Sequence, residues 1–326
     1  MEIPKLTDKF GRKHDYLRIS LTDACNLRCL YCMPNEKVLV TPSAKMMQKE
    51  EIFEISKTFV NLGIKKIRLT GGEPLLRKDA KAILESLAQL PIELSISTNA
   101  ILVDQFIDVF KNVGIKQVNI SLDTLDAEEF FQMTKRAYFE KIMSNIKLLL
   151  ENNFKVKINC VVLKDKNEKA ILDFISWTEN TDLDVRFIEF MPFQGNSWKK
   201  DAVYAYKEIL KDVEQQYQIN RLPDAVNDTA KHYQVKNFKG KFAFITTITE
   251  PFCDSCNRLR LTADGKMKNC LFSTGEIDIL SAFRSGKDIT SLIQENVAAK
   301  MRERGGRFDE ISEALNENRS MIKIGG

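Results

Sequence analysis

Three cysteines sit within eight residues in CNLRCLYC, at Cys25, Cys29 and Cys32, directly after an apolar strand-like run. Three more recur near the other end of the chain, at Cys253, Cys256 and Cys270 in CDSCNRLRLTADGKMKNC. The seventh, Cys160, lies on the apolar face of KVKINCVVL with Val156 and Ile158 and reads as core. A structural zinc takes four nitrogen or sulfur ligands and a disulfide takes two, so three is an odd set for either. An iron–sulfur cube held by three thiolates keeps one iron open to a substrate or cofactor. A mononuclear zinc with a borrowed fourth ligand stays open as an alternative; the nearest histidine is His14, one of 2 in the chain.

Both trios need a scaffold. The runs YLRISLT (16–22), KKIRLT (65–70), IELSIST (92–98), KQVNISL (116–122), KVKINCVVL (155–163) and DVRFIEF (184–190) read as strands. Amphipathic stretches such as KEEIFEISKTFVNLG and KDAKAILESLAQL lie between them. Repeated strand–helix units predict a parallel sheet with right-handed crossovers. Six units fall short of the eight of a closed barrel. The expectation is an α/β protein: a partial (β/α)6 TIM-like barrel over 1–215, closed by a smaller α+β region over 216–326. That second region holds the runs FAFITTI, NRLRLT and KMKNCLF and the second cysteine trio.

The strands alternate. Tyr16, Arg18, Ser20 and Thr22 oppose Leu17, Ile19 and Leu21; Lys66, Arg68 and Thr70 oppose Ile67 and Leu69; Lys155, Lys157 and Asn159 oppose Val156 and Ile158. A parallel sheet covered on both sides reads as continuous Val, Ile and Leu. Here one face is apolar and the other polar and cationic, so the second should line a wet or ligand-filled lumen. The basic residues on strand segments are Arg18, Lys66, Arg68, Lys157, Arg186, Arg258 and Arg260. Arg186 is the odd member, because Ile188 and Phe190 share its face.

Bulk properties exclude several classes. With 326 residues, 49 Lys plus Arg and 45 Asp plus Glu, the net charge is +4, too small to argue for nucleic acid. The N-terminal stretch MEIPKLTDKFGRKHDY lacks the apolar core of a signal peptide, and no run is long enough to span a membrane. A cytoplasmic protein is expected, where thiols stay reduced and cysteines serve as ligands.

The CxxxCxxC spacing of CNLRCLYC, with Tyr31 before the last cysteine, resembles the motif of the radical S-adenosylmethionine enzymes. The resemblance implies a [4Fe–4S] cluster on Cys25, Cys29 and Cys32, whose open iron chelates S-adenosylmethionine. It implies S-adenosylmethionine contacts from Tyr31, from Gly72 in TGGEP, from Ser121 in NISLD and from Met191. The second trio, with NRLRL inside it and CLF after it, narrows the resemblance to the MoaA family of GTP 3′,8-cyclases of molybdenum cofactor biosynthesis. That family implies a second [4Fe–4S] cluster on Cys253, Cys256 and Cys270. It implies a GTP site lined by Arg18, Arg68, Thr98, Lys157, Arg258, Leu259 and Arg260, with Arg258 and Arg260 catalytic and Lys66 and Arg186 as further phosphate contacts. It also implies that the Gly325 and Gly326 tail enters the active site. Its expected partners are an electron donor such as flavodoxin or ferredoxin and the next pathway enzyme, cyclic pyranopterin monophosphate synthase; a homodimer is compatible. A different radical enzyme with an auxiliary cluster, such as a peptide-modifying one, is the alternative.

Overall fold

A computed structural model describes residues 6–33, 39–306 and 318–325 of the chain. Six strand–helix repeats open it. The strands are β1 (Tyr16–Ser20), β2 (Lys66–Thr70), β3 (Glu93–Thr98), β4 (Gln117–Ser121), β5 (Lys155–Val162) and β6 (Leu183–Glu189). Between and after them run α1 (Lys49–Asn61), α2 (Ala80–Leu87), α3 (Ile107–Asn112), α4 (Ala127–Thr134), α5 (Phe139–Glu151), α6 (Ala170–Trp177) and α7 (Tyr206–Glu214). The later strands are β7 (Ile219–Arg221), β8 (Lys231–Val235), β9 (Lys241–Ile245), β10 (Arg258–Leu261), β11 (Lys266–Lys268) and β12 (Ile277–Asp278). Helices α8 (Ile279–Arg284), α9 (Thr290–Ala298) and α10 (Met321–Ile324) complete the described residues.

All six strands expected in the first region form, within two residues of their anticipated ends. The later strands do not build a separate layer. All twelve belong to one sheet, ordered β12-β11-β10-β1-β2-β3-β4-β5-β6-β9-β8-β7. β10 pairs parallel to β1 and β9 parallel to β6, so the parallel run is eight strands long. Antiparallel hairpins finish both edges. Since no register joins β9 to β10 among the described residues, the barrel is partial.

The two faces of the sheet have different jobs. In β5 burial alternates strictly, with Val156, Ile158, Cys160 and Val162 buried and Lys157, Asn159 and Val161 half-buried. The buried set packs on helices whose apolar residues recur three and four apart, such as Ile52, Ile55 and Phe59 of α1 and Ile142, Ile146 and Leu149 of α5. Each such side chain contributes about 1.5–3 kcal/mol by leaving water. The other face lines the lumen. Stability comes from one side of each strand, which leaves the opposite side free to carry charge.

Candidate functional site

The lumen is a cavity of about 480 Å³, within the 300–1,000 Å³ usual for small-molecule sites, and all six clustered cysteines line it. They lie at opposite ends. Cys25, Cys29 and Cys32 follow the C-terminal end of β1, whereas Cys253 and Cys256 precede the N-terminal end of β10, which runs parallel to β1. Cys270 joins the second pair because β10 and β11 form a hairpin whose return strand ends beside its start. The turn is tight: Gly265 has φ +71°, and a Cβ there would lie 2.3 Å from the Cβ of Leu280. The gap between Cys256 and Cys270 is therefore one hairpin long. His14 precedes β1 and so sits at the other end from residues 25–32. It cannot be the borrowed ligand of the first trio.

The first trio is held by TGGEP. Parallel pairing continues beyond the strand ends: the Leu21 N–H donates to the Thr70 carbonyl (2.9 Å), Gly72 to Thr22 (2.7 Å) and Glu73 to Ala24 (2.8 Å). A Cβ on Gly72 would lie 2.3 Å from the Ala24 oxygen, and one on Gly71 2.5 Å from the Thr22 oxygen. The glycines thus permit close approach to the cysteine loop itself. Glu73 is buried and its carboxylate accepts from the N–H of Leu75 (3.0 Å) and Asn99 (2.7 Å) and the hydroxyl of Thr98 (2.8 Å). Burial nonetheless raises its pKa to about 7. Asn99 also reaches the cysteine loop, donating to Asn26 (2.7 Å), with Cys25 Sγ at 3.9 Å. The Tyr31 hydroxyl donates to Asp123 (2.8 Å), which burial holds at a pKa of about 6. Burial pushes Cys25 to about 11 and Cys32 to about 12, the latter with help from Cys25 and Asp123. Gly72, Ser121 and Met191 line the same end, each at or just beyond the C-terminal end of its strand.

Cations crowd the other half. Arg260, Arg18 and Arg68 are register neighbours on β10, β1 and β2, about 4.8 Å apart in the hydrogen-bonding direction. The next row is Arg258, Tyr16 and Lys66. Burial lowers the pKa of Arg18 and Arg260 and brings Arg68 to about 10, with neighbouring guanidinium groups adding to the strain. The Nε of Arg18 and of Arg68 are sealed from solvent and have no hydrogen-bond partner among the described residues. Across the lumen Lys157 lies 3.6 Å from Asp184, and Arg186 donates to the same carboxylate (2.8 Å). Burial takes Lys157 down to about 8, with Arg186 opposing its charge as well. Asp184 is the polar partner that makes Arg186 a lumen residue; the sequence reading weighed only Ile188 and Phe190. Lys66 is paired with Glu93 near the rim (2.5 Å).

Two anticipated contacts are limited. Leu259 points its side chain into the apolar core, as strict alternation between Arg258 and Arg260 requires, and is fully buried there. The Thr98 hydroxyl lines the cavity but donates to Glu73.

Behind the second trio, the buried Lys300 ammonium contacts Cys256 Sγ (3.4 Å), the Arg258 carbonyl (3.0 Å) and His14 Nε2 (3.0 Å). Burial works against a Cys256 thiolate, yet Lys300 and Arg258 prevail and hold the thiol at about 6. Arg12 donates to the Cys253 carbonyl (2.7 Å), to those of Arg302 (2.6 Å) and Met301 (2.8 Å), and to Asp8 (2.6 Å). Sequence reasoning missed Lys300, Arg12, Asn99 and Asp123. Asn99 directly follows β3 and Asp123 lies two residues past β4, a readable signal; Lys300 and Arg12 carry none.

The tail reaches the lumen. Asn318 and Arg319 are tied to the hairpin through the Leu271 carbonyl (3.0 Å), Asp264 (2.8 Å) and Glu276 (2.7 Å). The Gly325 carbonyl accepts from Arg260 (2.5 Å), and a Cβ there would lie 2.8 Å from both Ser20 and Thr70. Gly326 lies outside the described residues.

The Radical SAM superfamily model matches residues 19–178, and the Molybdenum Cofactor Synthesis C model matches 183–308. The chain is 38% identical to a Listeria monocytogenes protein named GTP 3′,8-cyclase, across 98% of this chain and 99% of that one. It is 44% identical to human molybdenum cofactor biosynthesis protein 1 and 42% identical to Caenorhabditis elegans moc-5, across 98% and 97% of this chain. It spans about half the length of those two relatives (51% and 54%). Among solved structures, Streptococcus suis SuiB shares the fold, with a TM-score of 0.65 at 16% identity over 97% of this chain and 73% of that one. The chain belongs to the radical S-adenosylmethionine superfamily and, within it, to the GTP 3′,8-cyclase family of molybdenum cofactor synthesis.

Proposed function

We propose that the chain converts GTP to (8S)-3′,8-cyclo-7,8-dihydroguanosine 5′-triphosphate, the first step of molybdenum cofactor biosynthesis. The observation that carries this reading is one cavity with a cysteine trio at each end and a row of buried cations between them, of which Arg18 and Arg68 keep an Nε without a partner among the described residues. Superfamily membership brings one [4Fe–4S] cluster and S-adenosylmethionine, which we assign to Cys25, Cys29 and Cys32. We assign a second cluster to Cys253, Cys256 and Cys270. The donor sets fit: each is three thiols opening on the lumen.

Held by Cys25, Cys29 and Cys32, the first cluster with S-adenosylmethionine would supply the radical chemistry needed to remove the 3′ hydrogen of the ribose. The chain's own residues do the rest. Tyr31, Gly72, Ser121 and Met191 frame S-adenosylmethionine at the strand ends. Arg18, Arg68 and Lys157, with Lys66 and Arg186 at the margin, hold the triphosphate. GTP carries about four negative charges, which answer the crowded cations. Thr98 and the Leu259 backbone border this site. Arg258 and Arg260 lie beside the second trio, where the guanine would bind, and stabilise charge as the ring is attacked at C8 and reduced. The tail bonded to Arg260 helps to exclude water from a reactive intermediate.

In this reading residues 216–326 act as the unit that closes the barrel of residues 1–215. The electron donor is a flavodoxin or ferredoxin, and the product passes to cyclic pyranopterin monophosphate synthase. The protein works in the cytoplasm without nucleic acid, and a homodimer is compatible; among the described residues no helix is long and apolar enough to cross a membrane. A peptide-modifying radical enzyme fits the row of guanidinium groups less well.

The test uses GTP deuterated at the ribose 3′ position with reduced protein and S-adenosylmethionine. Deuterium must appear in 5′-deoxyadenosine; its absence removes the cyclase reading. Anaerobic reconstitution should give about eight irons per chain for two cubes. Zinc without sulfide would end the radical reading altogether.

A further inference from the structure

Tyr16 opens β1 at the basic end of the lumen, between its register partners Arg258 and Lys66. Three cations surround its ring: Arg68 Cζ at 5.5 Å from the centroid, Lys66 Nζ at 5.6 Å and Arg18 Cζ at 5.9 Å. The ring lines the cavity, while the hydroxyl is sealed among side chains that include Arg18 and finds no acceptor for its proton among the described residues.

A buried hydroxyl proton without an acceptor costs desolvation and returns nothing, so a phenol kept only for packing is better replaced by Phe. Arg18 and Arg68, whose guanidinium carbons lie near its ring, each keep an Nε without a partner among the described residues. Three buried donors on two adjacent strands therefore lack acceptors, and they share one neighbourhood. An acceptor-rich anion placed there satisfies all three at once. The phenol is also an unusually willing donor: burial tends to raise its pKa, but Arg68, Arg18, Lys66 and Arg258 hold it below the ordinary phenol value.

Building on the GTP reading above, we propose that Tyr16 is a phosphate-binding residue of the substrate site, donating its hydroxyl to a triphosphate oxygen while its ring spaces the cations of β1 and β2. Its ring keeps Arg18, Arg68 and Lys66 apart from one another, and its hydroxyl joins them on the same anion. No guanine contact is assigned to it.

The experiment compares Tyr16→Phe with the wild type, both carrying their clusters, by equilibrium binding of GTP, inorganic tripolyphosphate and guanosine. Iron content and melting temperature check that the variant is folded. The variant should lose about tenfold in affinity for GTP and for tripolyphosphate, the loss expected of one charge-assisted hydrogen bond, and stay within about twofold for guanosine. Wild-type binding of GTP and tripolyphosphate with the variant unchanged overturns this role for Tyr16 and leaves the GTP reading standing. An equal loss for guanosine also overturns it, by making Tyr16 a general support of the lumen. A wild type that binds neither GTP nor tripolyphosphate removes the GTP reading, and this inference with it.

Discussion

Cys29 and Cys32 have the Asp123 carboxylate for a neighbour and Cys25 has Glu73, while Cys256 has Lys300 and Arg258. The first trio and Cys256 of the second thus sit in opposite fields at the two ends of one cavity, whereas burial pushes the Cys253 thiol up as it does those of the first trio. The difference sorts ligands. S-adenosylmethionine carries a sulfonium and an ammonium, and the acidic end favours it. A nucleoside triphosphate is a polyanion, and the basic end favours that. Oriented charge of this kind fixes which molecule binds where more than it adds raw affinity.

Swapping one cysteine at each end breaks the comparison most sharply. Cys25→Ser should abolish S-adenosylmethionine cleavage and, with it, all product. Cys256→Ser should keep S-adenosylmethionine cleavage and stop cyclisation. The measurement is 5′-deoxyadenosine and cyclised nucleotide from the same reaction. If Cys256→Ser loses 5′-deoxyadenosine as completely as Cys25→Ser, the ends do not divide the labour. Next in size is Gly72→Ala. Its Cβ would meet the Ala24 oxygen at 2.3 Å, and the backbone must move. Overpacking of this sort costs about 1–3 kcal/mol. A lower melting temperature and loss of iron from the first trio alone should follow; iron lost equally from both would refute the local account.

The sequence carried the scaffold and the ligands but not their support. Alternation in YLRIS, KIRLT and KVKIN marks both faces of the sheet because side-chain period is local. The parallel seating of β10 on β1 was not legible. Pairing partners 242 residues apart, such as Tyr16 and Arg258, leave no local trace in either run. For the same reason the eight-strand parallel run looked like six units and an appendix. TGGEP was readable as a close-approach turn, yet the partner it approaches is the residue 22–24 backbone, which only the fold reveals. Lys300, a lone lysine after a helix, carries no signal at all; its role comes from burial against Cys256 and His14.

Lys300 offers a smaller, one-sided test. Residues that support ligands typically cost 10–100-fold in cluster affinity or activity when lost. Lys300→Met should lower iron retention at the second trio during chelator challenge, towards about four irons per chain from about eight. Cleavage of S-adenosylmethionine at the first trio should persist. Iron lost from both ends in parallel would make Lys300 a general stabiliser.

The smallest effect concerns a proton. Lys157, held at about 8 by burial and by Arg186, has an ordinary value of 10.5. Between those values the unfolded chain holds more protons than the folded one, so this residue makes stability rise with pH through that window. The gain is at most about 3 kcal/mol, and less once solvent in the lumen screens the charge. A triphosphate beside Lys157 reverses the balance, because it favours the ammonium and lifts the pKa back up. GTP binding near pH 9 should therefore take up close to one proton, and affinity should fall as pH rises past 8. Calorimetry at pH 9 in buffers of different ionisation heat reads the uptake directly. Lys157→Arg, which stays charged throughout, should bind GTP without it. If binding heat is the same in every buffer for the wild type, Lys157 does not meet the anion, and the triphosphate belongs on the Arg18 and Arg68 side alone.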